Sequence, residues 1–281
     1  MTEECRKILE QLKADTAAEA YRLTIQPDRT PELLDSKFGG TAYWDRRQPY
    51  PAGQNGLPMQ LLAQINFSQF SAEAPLPQKG LLQFFIARDD IFGADFDCPD
   101  RQTGFRVVYH PEPDLDLTQE QAAALEQEAL APGTEADEDW NDAPVFRPAA
   151  ISIRKETVFM GAGDVRFAQA FRQAVRKALG REMPENQSYY GFFQEKEDRE
   201  ALWKELDNTG HWLLGYPYFT QSDPRDPDGP YDTLLFQMDS ETVGGEDYVL
   251  WGDCGVGNFF INRRDLENLD FSRVLYSWDC C

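Results

Sequence analysis

Histidine, which most often performs acid–base chemistry near neutral pH, occurs only at His110 and His211 in this chain. A multi-histidine metal site is therefore excluded, and a histidine-dependent triad would have to use one of the two. His110 precedes Pro-Glu-Pro in an acidic loop. His211 lies in Gly210-His-Trp-Leu-Leu-Gly215, where an edge-strand or packing role is favoured over catalysis. The sequence also lacks a G-x-S-x-G elbow, a phosphate-binding P-loop and an H-E-x-x-H motif. We predict no catalytic residues and favour a non-enzymatic protein.

One glycine-rich loop, Gly252-Asp-Cys-Gly-Val-Gly257, could let a backbone approach an anion closely. It leads into a predicted strand, so it lacks the strand–loop–helix setting of the dinucleotide and P-loop motifs. A tight turn or bulge is the favoured interpretation. The alternative is an enzyme that acts on a small polar substrate through this loop and the carboxylates of Asp239 and Asp253.

Thiol chemistry is the other possibility, because the chain contains five cysteines. Their number is odd and no C-x-x-C pair occurs, which suits neither a disulfide framework nor a zinc site. We therefore expect reduced thiols, no metal and no cofactor. Cys254 lies within the glycine-rich loop, but no basic residue near it in sequence would lower its pKa. The five positions are Cys5, Cys98, Cys254, Cys280 and Cys281.

The chain is strongly acidic, with 49 acidic and 27 basic residues and a formal charge of -22. This charge repels phosphates, so direct binding of nucleic acid is not expected and a basic protein or peptide is the better partner. Much of the imbalance lies in residues 112–142, which contain no Lys or Arg. That segment is either a solvated insertion between strands or a docking arm for a basic partner.

Hydrophobic periodicity predicts a β-rich protein with a few flanking helices. Helices are expected over residues 3–21, from an N-cap at Asp164 to Gly180, and from a capping box at Thr118 and Gln121 until Pro132-Gly133. Strands are expected over residues 61–67, 81–87, 104–110, 150–154, 233–238 and 258–262. No stretch approaches the roughly 20 apolar residues of a membrane span, and the first residues do not form a signal peptide. We expect a cytoplasmic protein that does not enter membranes.

Two sequence boxes occur in both halves of the chain. Leu61-Leu-Ala-Gln64-Ile-Asn66 matches Leu234-Leu-Phe-Gln237-Met-Asp239, and Gly80-Leu-Leu-Gln-Phe-Phe-Ile-Ala-Arg-Asp-Asp90 aligns without gaps on Gly255-Val-Gly-Asn-Phe-Phe-Ile-Asn-Arg-Arg-Asp265. A weaker upstream pair joins Gly40-Thr-Ala-Tyr43-Trp44 to Gly215-Tyr-Pro-Tyr218-Phe219. Order and spacing agree, so we predict an internal duplication with halves at about 30–150 and 151–281 in one domain.

Within the first box, strand alternation places Leu61, Ala63, Ile65 and Phe67 on one face and Gln64 on the other. A buried Gln must find hydrogen-bond partners, since an unsatisfied amide costs about 1–3 kcal/mol. Gln64 and Gln237 therefore either tie their strands to neighbouring loops or line a shared groove between the halves. The sequence leaves both interpretations open.

A longer set of motifs follows a fixed order along the chain: Lys37-Phe-Gly-Gly40, Leu61-Leu-Ala-Gln64-Ile-Asn66, Leu76-Pro-Gln-Lys-Gly80-Leu-Leu-Gln-Phe-Phe85, Leu234-Leu-Phe-Gln237, Trp251-Gly-Asp253-Cys-Gly255 and Phe259-Phe-Ile261. Together they resemble the YwqG family of uncharacterised bacterial proteins over nearly the whole chain. The resemblance implies an α+β fold around a sizeable mixed, largely antiparallel sheet, a cytosolic location and no established activity. It also implies a distant relation to programmed-cell-death-2-like proteins, which chaperone a basic ribosomal protein.

These observations favour a protein- or peptide-binding module, chaperone-like towards a basic client. The predicted site is a groove between the two halves. Several of its residues are aromatic, and aromatic residues are enriched in binding sites. A third interpretation, besides the enzyme, is an immunity protein that blocks a basic toxin. The predicted groove residues are Gln64, Gln237, Trp251, Asp253, Tyr216 and Tyr218.

Overall fold

The structure is a computed structural model, which describes residues 1–130, 143–184 and 187–281. Six α-helices form in these residues: α1 (Glu3–Thr16), α2 (Gln119–Glu128), α3 (Phe167–Leu179), α4 (Tyr189–Phe192), α5 (Lys196–Glu205) and α6 (Arg263–Glu267). The strands are β1 (Ala18–Gln26), β2 (Lys37–Phe38), β3 (Gln60–Asn66), β4 (Leu81–Ile86), β5 (Phe105–His110), β6 (Ala149–Val158), β7 (His211–Leu213), β8 (Thr233–Asp239), β9 (Glu241–Val243), β10 (Glu246–Val249), β11 (Val256–Ile261) and β12 (Val274–Asp279).

Ten of these strands form one sheet in the order β12-β11-β8-β7-β1-β6-β2-β3-β4-β5, and β9 and β10 form a separate hairpin. This confirms the predicted β-rich α+β class. Every strand pair in the described residues is antiparallel, so the sheet is not mixed. All six predicted strands are present, with ends that differ by a few residues. The largest difference is β6, which extends past residue 154 to Val158.

Four strands lie on each side of the central pair β1–β6, each time in chain order from the centre to the edge. On one side follow β2, β3, β4 and β5, and on the other β7, β8, β11 and β12. The strands that carry the two sequence boxes thus occupy equivalent places. Each pair of box strands also contains an irregularity of register at the same box position, Leu62 between β3 and β4 and Leu235 between β8 and β11.

These irregularities change which side chains face the interior. An extra residue in one strand interrupts the alternation of faces. Ala63 and Ile65 therefore pack in the main core, whereas Leu61 packs in an outer cluster with Trp44 and Phe85. The sequence prediction that Leu61 shares a face with Ala63 and Ile65 is wrong for this reason.

The sheet curls into a nearly closed barrel around an aromatic core. Phe84 of β4 lies 4.6 Å from Phe236 of β8 between ring centroids and 5.0 Å from Phe259 of β11. At the two edges of the sheet, Phe105 of β5 lies 5.2 Å from Tyr276 of β12. Because these rings come from both ends of the sheet, their burial holds the barrel closed.

A second core lies outside the barrel, where α1, α3 and α5 pack together. Its buried residues include Ile8 and Leu12 of α1, Phe171 and Val175 of α3, and Leu202 of α5. These positions follow helical spacing, which is why the sequence revealed α1 and α3. The three helices thus form a layer outside the barrel, and α3 and α5 border a surface cavity.

Helix ends differ from the predictions in three places. The first helix stops at Thr16, not residue 21, because the following residues alternate between buried and exposed and form β1. Helix α3 begins at Phe167 without a side-chain cap, and Asp164 instead forms buried ion pairs with Arg166 and Arg225. The capping box at Thr118 is confirmed, but α2 ends at Glu128, before the predicted end at Pro132-Gly133. Those two residues and the rest of the acidic segment up to 142 lie outside the described residues.

None of the helices in the described residues combines the length and apolar character needed to cross a membrane.

The glycine-rich loop generates a stability prediction. A methyl group at Gly257 would overlap the ring of Trp251, which is fully buried in the barrel core. We expect Gly257→Ala to lower the free energy of unfolding by about 1–3 kcal/mol, as measured by urea denaturation. Gly191→Ala is the control, because a methyl group there meets only the Ser188 hydroxyl at 3.4 Å. An unchanged stability for Gly257→Ala would contradict the close packing of strand and ring.

Candidate binding site

The amide of Gln237 anchors the loops before and after β7. Its Nε2 donates to the backbone oxygens of Asn208 and Gly210, each at 2.8 Å, and its Oε1 accepts from the backbone nitrogen of Tyr218 at 2.7 Å. The side chain is fully buried. Both N–H donors and the oxygen of the amide are therefore bonded to backbone, which fixes the two loops against β8.

The amide of Gln64 makes the equivalent bonds in the first half. Its Nε2 donates to the oxygens of Leu33 and Asp35 at 2.8 and 2.9 Å, and its Oε1 accepts from the backbone nitrogen of Tyr43 at 3.2 Å. Like Gln237 it has no exposed surface. Each glutamine therefore ties its strand to neighbouring loops, as the first of the two interpretations expected. Among the described residues the two networks have no member in common.

The neighbouring box adds a second equivalent contact. Gln83 of β4 donates to the oxygen of Tyr43 at 2.7 Å, and Asn258 of β11 donates to the oxygen of Tyr218 at 2.9 Å. Both amides occupy the same position in the aligned eleven-residue boxes. The backbone of each tyrosine is thus hydrogen-bonded through both its nitrogen and its oxygen. Only the side chains of Tyr43 and Tyr218 can therefore differ in role.

Beside Tyr218 lies an aromatic cavity of about 290 Å³ between α3, α4, α5 and the loop that follows β7. Its wall is mainly apolar, and two of its rings are largely exposed, Tyr190 at 63% and Trp203 at 56% of their surface. Large exposed rings around a concave surface are typical of binding sites. The aromatic residues that line it are Phe167, Tyr189, Tyr190, Phe193, Trp203 and Tyr218.

The charged residues at the rim of the aromatic cavity differ in their partners. The Arg199 guanidinium donates to the oxygens of Phe193 and Gln194 and stacks 5.0 Å from the Tyr190 ring, so it is engaged within the protein. Lys196 is paired with Glu200 at 3.2 Å. Asp207 is exposed and forms no ion pair with any described residue. The two basic and two acidic residues that line the cavity therefore balance in charge, and Asp207 is the acidic one without an ion pair to a described residue.

The other predicted site residues lie apart from the aromatic cavity. Trp251 is fully buried beneath Phe92 and Trp278, and its ring does not reach the surface. Asp253 is exposed in the glycine-rich loop. Tyr216 is half-buried and donates its hydroxyl to the oxygen of Thr16 at 2.8 Å. The structure thus brings Gln237 and Tyr218 together, while Gln64, Trp251 and Asp253 belong to other regions.

The sequence-based reasoning missed the two most exposed rings of the cavity. Tyr190 belongs to the aromatic run Tyr189-Tyr-Gly-Phe-Phe193, and Trp203 lies in the highly charged helix α5. A tryptophan on the polar face of a charged helix is the signal that could have indicated a contact surface.

The glycine-rich loop has a structural explanation. Gly252 adopts a left-handed conformation with φ of 60°, and a side chain at Gly255 would overlap the Asp279 carbonyl. Close backbone approach to β12 thus requires these glycines. Asp239, the other carboxylate of the enzyme hypothesis, accepts hydrogen bonds from the backbone nitrogens of Gly210 and Ser240. Burial raises the pKa of its carboxyl group.

A family model described as a domain of unknown function, DUF1963, matches residues 36–280. The chain belongs to this family. The DUF1963 match includes Gln64, Gln237 and the whole aromatic cavity, whereas α1, β1 and the Leu33 and Asp35 carbonyls that Gln64 binds precede it. A search of curated proteins finds no match to the chain.

The glutamine networks generate a second stability prediction. Replacing Gln237 by Leu removes a buried amide and leaves two backbone carbonyls and one backbone N–H without these partners. Replacing Gln64 by Leu does the same to the Asp35 carbonyl, the Tyr43 N–H and one N–H of Gln83. The Leu33 carbonyl still accepts from Lys37. We expect each variant to lose about 2–4 kcal/mol of unfolding free energy in urea titrations. Gln127→Leu, an exposed position on α2, is the matched control and should change stability by less than about 0.5 kcal/mol. A neutral effect at either buried position would show that its network is dispensable.

His110 generates a pH prediction. Its Nε2 donates to Gln83 Oε1 at 2.9 Å, and burial lowers its pKa to about 4. As the pH falls, His110 is therefore protonated in the unfolded chain before it is protonated in the folded protein. Its contribution to the free energy of unfolding is complete above about pH 6.5 and is lost as the pH falls towards 4. His110→Gln should keep a donor and remove up to about 3 kcal/mol of that pH-dependent loss. Parallel urea titrations of both proteins from pH 7 to pH 4 measure the difference, and identical slopes would refute the assignment.

Proposed function

We propose that this chain is a binding module without catalytic function, which holds an extended basic segment of another protein at the aromatic cavity. The observation that carries the proposal is the pair of exposed rings, Tyr190 and Trp203, beside a cavity large enough for one apolar side chain. Aromatic residues of this kind dominate the energetics of known interfaces.

Charge supports a basic partner. The net charge of -22 attracts a basic segment over long range. At short range the exposed carboxylate of Asp207 accepts hydrogen bonds from Thr209 but forms no ion pair with a described residue, whereas Lys196 and Arg199 are engaged within the protein. A Lys or Arg of the partner would pair with Asp207 while a neighbouring apolar side chain enters the cavity. This arrangement uses Tyr218 as one wall, and Gln237 acts behind it by positioning its backbone.

The proposal extends to evolutionary origin and cellular context. We propose that the protein is a YwqG-type member of its family, which the ordered motifs support, and that it acts in the cytoplasm. The equivalent strand order and the equivalent glutamine networks support a duplication of two halves, about 30–150 and 151–281, within one domain. In this proposal the halves have diverged, because the helices that border the cavity belong to the second half.

Binding can be measured with fluorescein-labelled synthetic peptides by fluorescence polarisation. The probe is a short peptide of lysines around a central Leu-Phe, with two matched peptides that carry Glu for Lys or Ser for Leu-Phe. We expect the first to bind at micromolar Kd and both matched peptides to bind at least about tenfold more weakly. Added salt should weaken binding, because the attraction is partly electrostatic.

Variants localise the site. Trp203→Ala should weaken binding of the basic peptide about tenfold or more and Asp207→Asn several-fold. Phe96→Ala is the control, since Phe96 is 65% exposed and does not line the cavity. The proposal fails if the basic peptide does not bind, if the Glu peptide binds equally well, or if Trp203→Ala and Phe96→Ala behave alike.

A further inference from the structure

Two cysteines that are far apart in sequence meet at one end of the β11–β12 pair. Cys254 lies just before β11 and Cys281 just after β12. Because Val256 pairs with Asp279 in antiparallel register, the residues beyond this pair converge. Cys254 and Cys281 form a disulfide, with their Cα atoms 6.3 Å apart, so the expectation of reduced thiols is wrong for this pair. Their separation of 27 residues explains why no spacing motif revealed the pair.

A carboxylate completes the group. Ligand atoms of Asp253, Cys254 and Cys281 all lie within 4.8 Å of one another at the protein surface. Asp253 forms no ion pair with a described residue, so its charge is not neutralised by Lys or Arg. The nearby carboxylate of Asp279 is engaged differently, since it accepts hydrogen bonds from the backbone nitrogens of Thr220 and Gln221.

The backbone holds these three side chains in place. The Gly255 nitrogen donates to the Trp251 oxygen at 2.7 Å and closes the turn that carries Asp253 and Cys254. Gly255 packs directly against the Asp279 carbonyl, which fixes the turn relative to the end of β12. Binding a ligand at this turn would therefore require little ordering of the backbone.

We propose that Asp253, Cys254 and Cys281 form a surface site for a thiophilic divalent cation of the Zn²⁺ class once a thiol reductant has opened the Cys254–Cys281 disulfide. In that exchange the reductant is oxidised to its own disulfide and the cysteine pair becomes two thiols. Two thiolates and one carboxylate are three ligands that zinc prefers, and a water molecule would complete a tetrahedral shell. Zn–S bonds of about 2.3 Å in tetrahedral geometry place two sulfurs about 3.8 Å apart. A Cα separation of 6.3 Å allows this by side-chain rotation alone. Binding converts the two thiols into metal thiolates and releases two protons, which balances the reaction.

The site is independent of the proposed peptide function, because none of its three residues lines the aromatic cavity. It changes the expectation from sequence, where the cysteines showed no metal-binding spacing. The Cys254–Cys281 disulfide excludes the metal because its sulfurs are not thiolates, so zinc binds only to the reduced form. Reduction state and metal binding must therefore be measured together.

The test uses the full-length protein, reduced and then freed of reductant under nitrogen. Zn²⁺ titration against a chromophoric indicator should show one site with a Kd of about micromolar or lower. Co²⁺ should produce a thiolate-to-metal absorption band. Cys254→Ser and Cys281→Ser should each weaken binding at least about a hundredfold and abolish that band, and Asp253→Asn should weaken binding about tenfold.

Cys280→Ser is the matched control, because it removes the adjacent thiol and leaves the three proposed ligands intact. It should bind Zn²⁺ like the natural protein, and circular dichroism verifies that every variant is folded. The proposal is overturned if the reduced protein binds no stoichiometric Zn²⁺, if Cys280→Ser abolishes binding while Cys281→Ser does not, or if mass spectrometry finds Cys254 and Cys281 joined after reduction.

Discussion

A buried primary amide must place its donors and its acceptor on protein groups, because an unsatisfied polar group in an apolar interior is costly. In this protein Gln64 and Gln237 meet that requirement with backbone groups of the loops that flank them. Each amide thereby converts a strand position into an anchor for two loop segments. The tyrosines at positions 43 and 218 are held in this way, and the wall of the aromatic cavity depends on the second of them.

The barrel around these anchors is stabilised by a different force. Phenylalanines from both ends of the sheet pack against one another, and their burial offsets the entropy lost in bringing distant strands together. The register irregularities at Leu62 and Leu235 let each strand place consecutive residues in the core before alternation resumes. The core side chains and the glutamine amides therefore lie on opposite faces of the same strands. The apolar side chains can close the barrel while the amides hold the loops.

Helices α3, α4 and α5 turn one anchored loop into a cavity. Helix α5 packs through Leu202 on the second core and leaves Trp203, its neighbour in sequence, exposed. The geometry follows from helical periodicity, since adjacent residues point about 100° apart. The exposed Trp203 ring lies next to the concave apolar wall of the cavity. In this region the area of contact with a partner, and not charge alone, can contribute to binding affinity.

Local features of the fold could be predicted from sequence, because they depend on residues close together in the chain. Six strands, the Thr118 capping box and the ordered boxes were evident from alternation, capping chemistry and repeated residues. Strand irregularities were not, since one extra residue reverses the faces without changing composition. Tertiary structure alone decided that Gln237 supports Tyr218, that Trp251 is buried, and that Cys254 meets Cys281. These contacts arise from strand order and loop closure, which bring together residues whose sequence spacing carries no periodic signal.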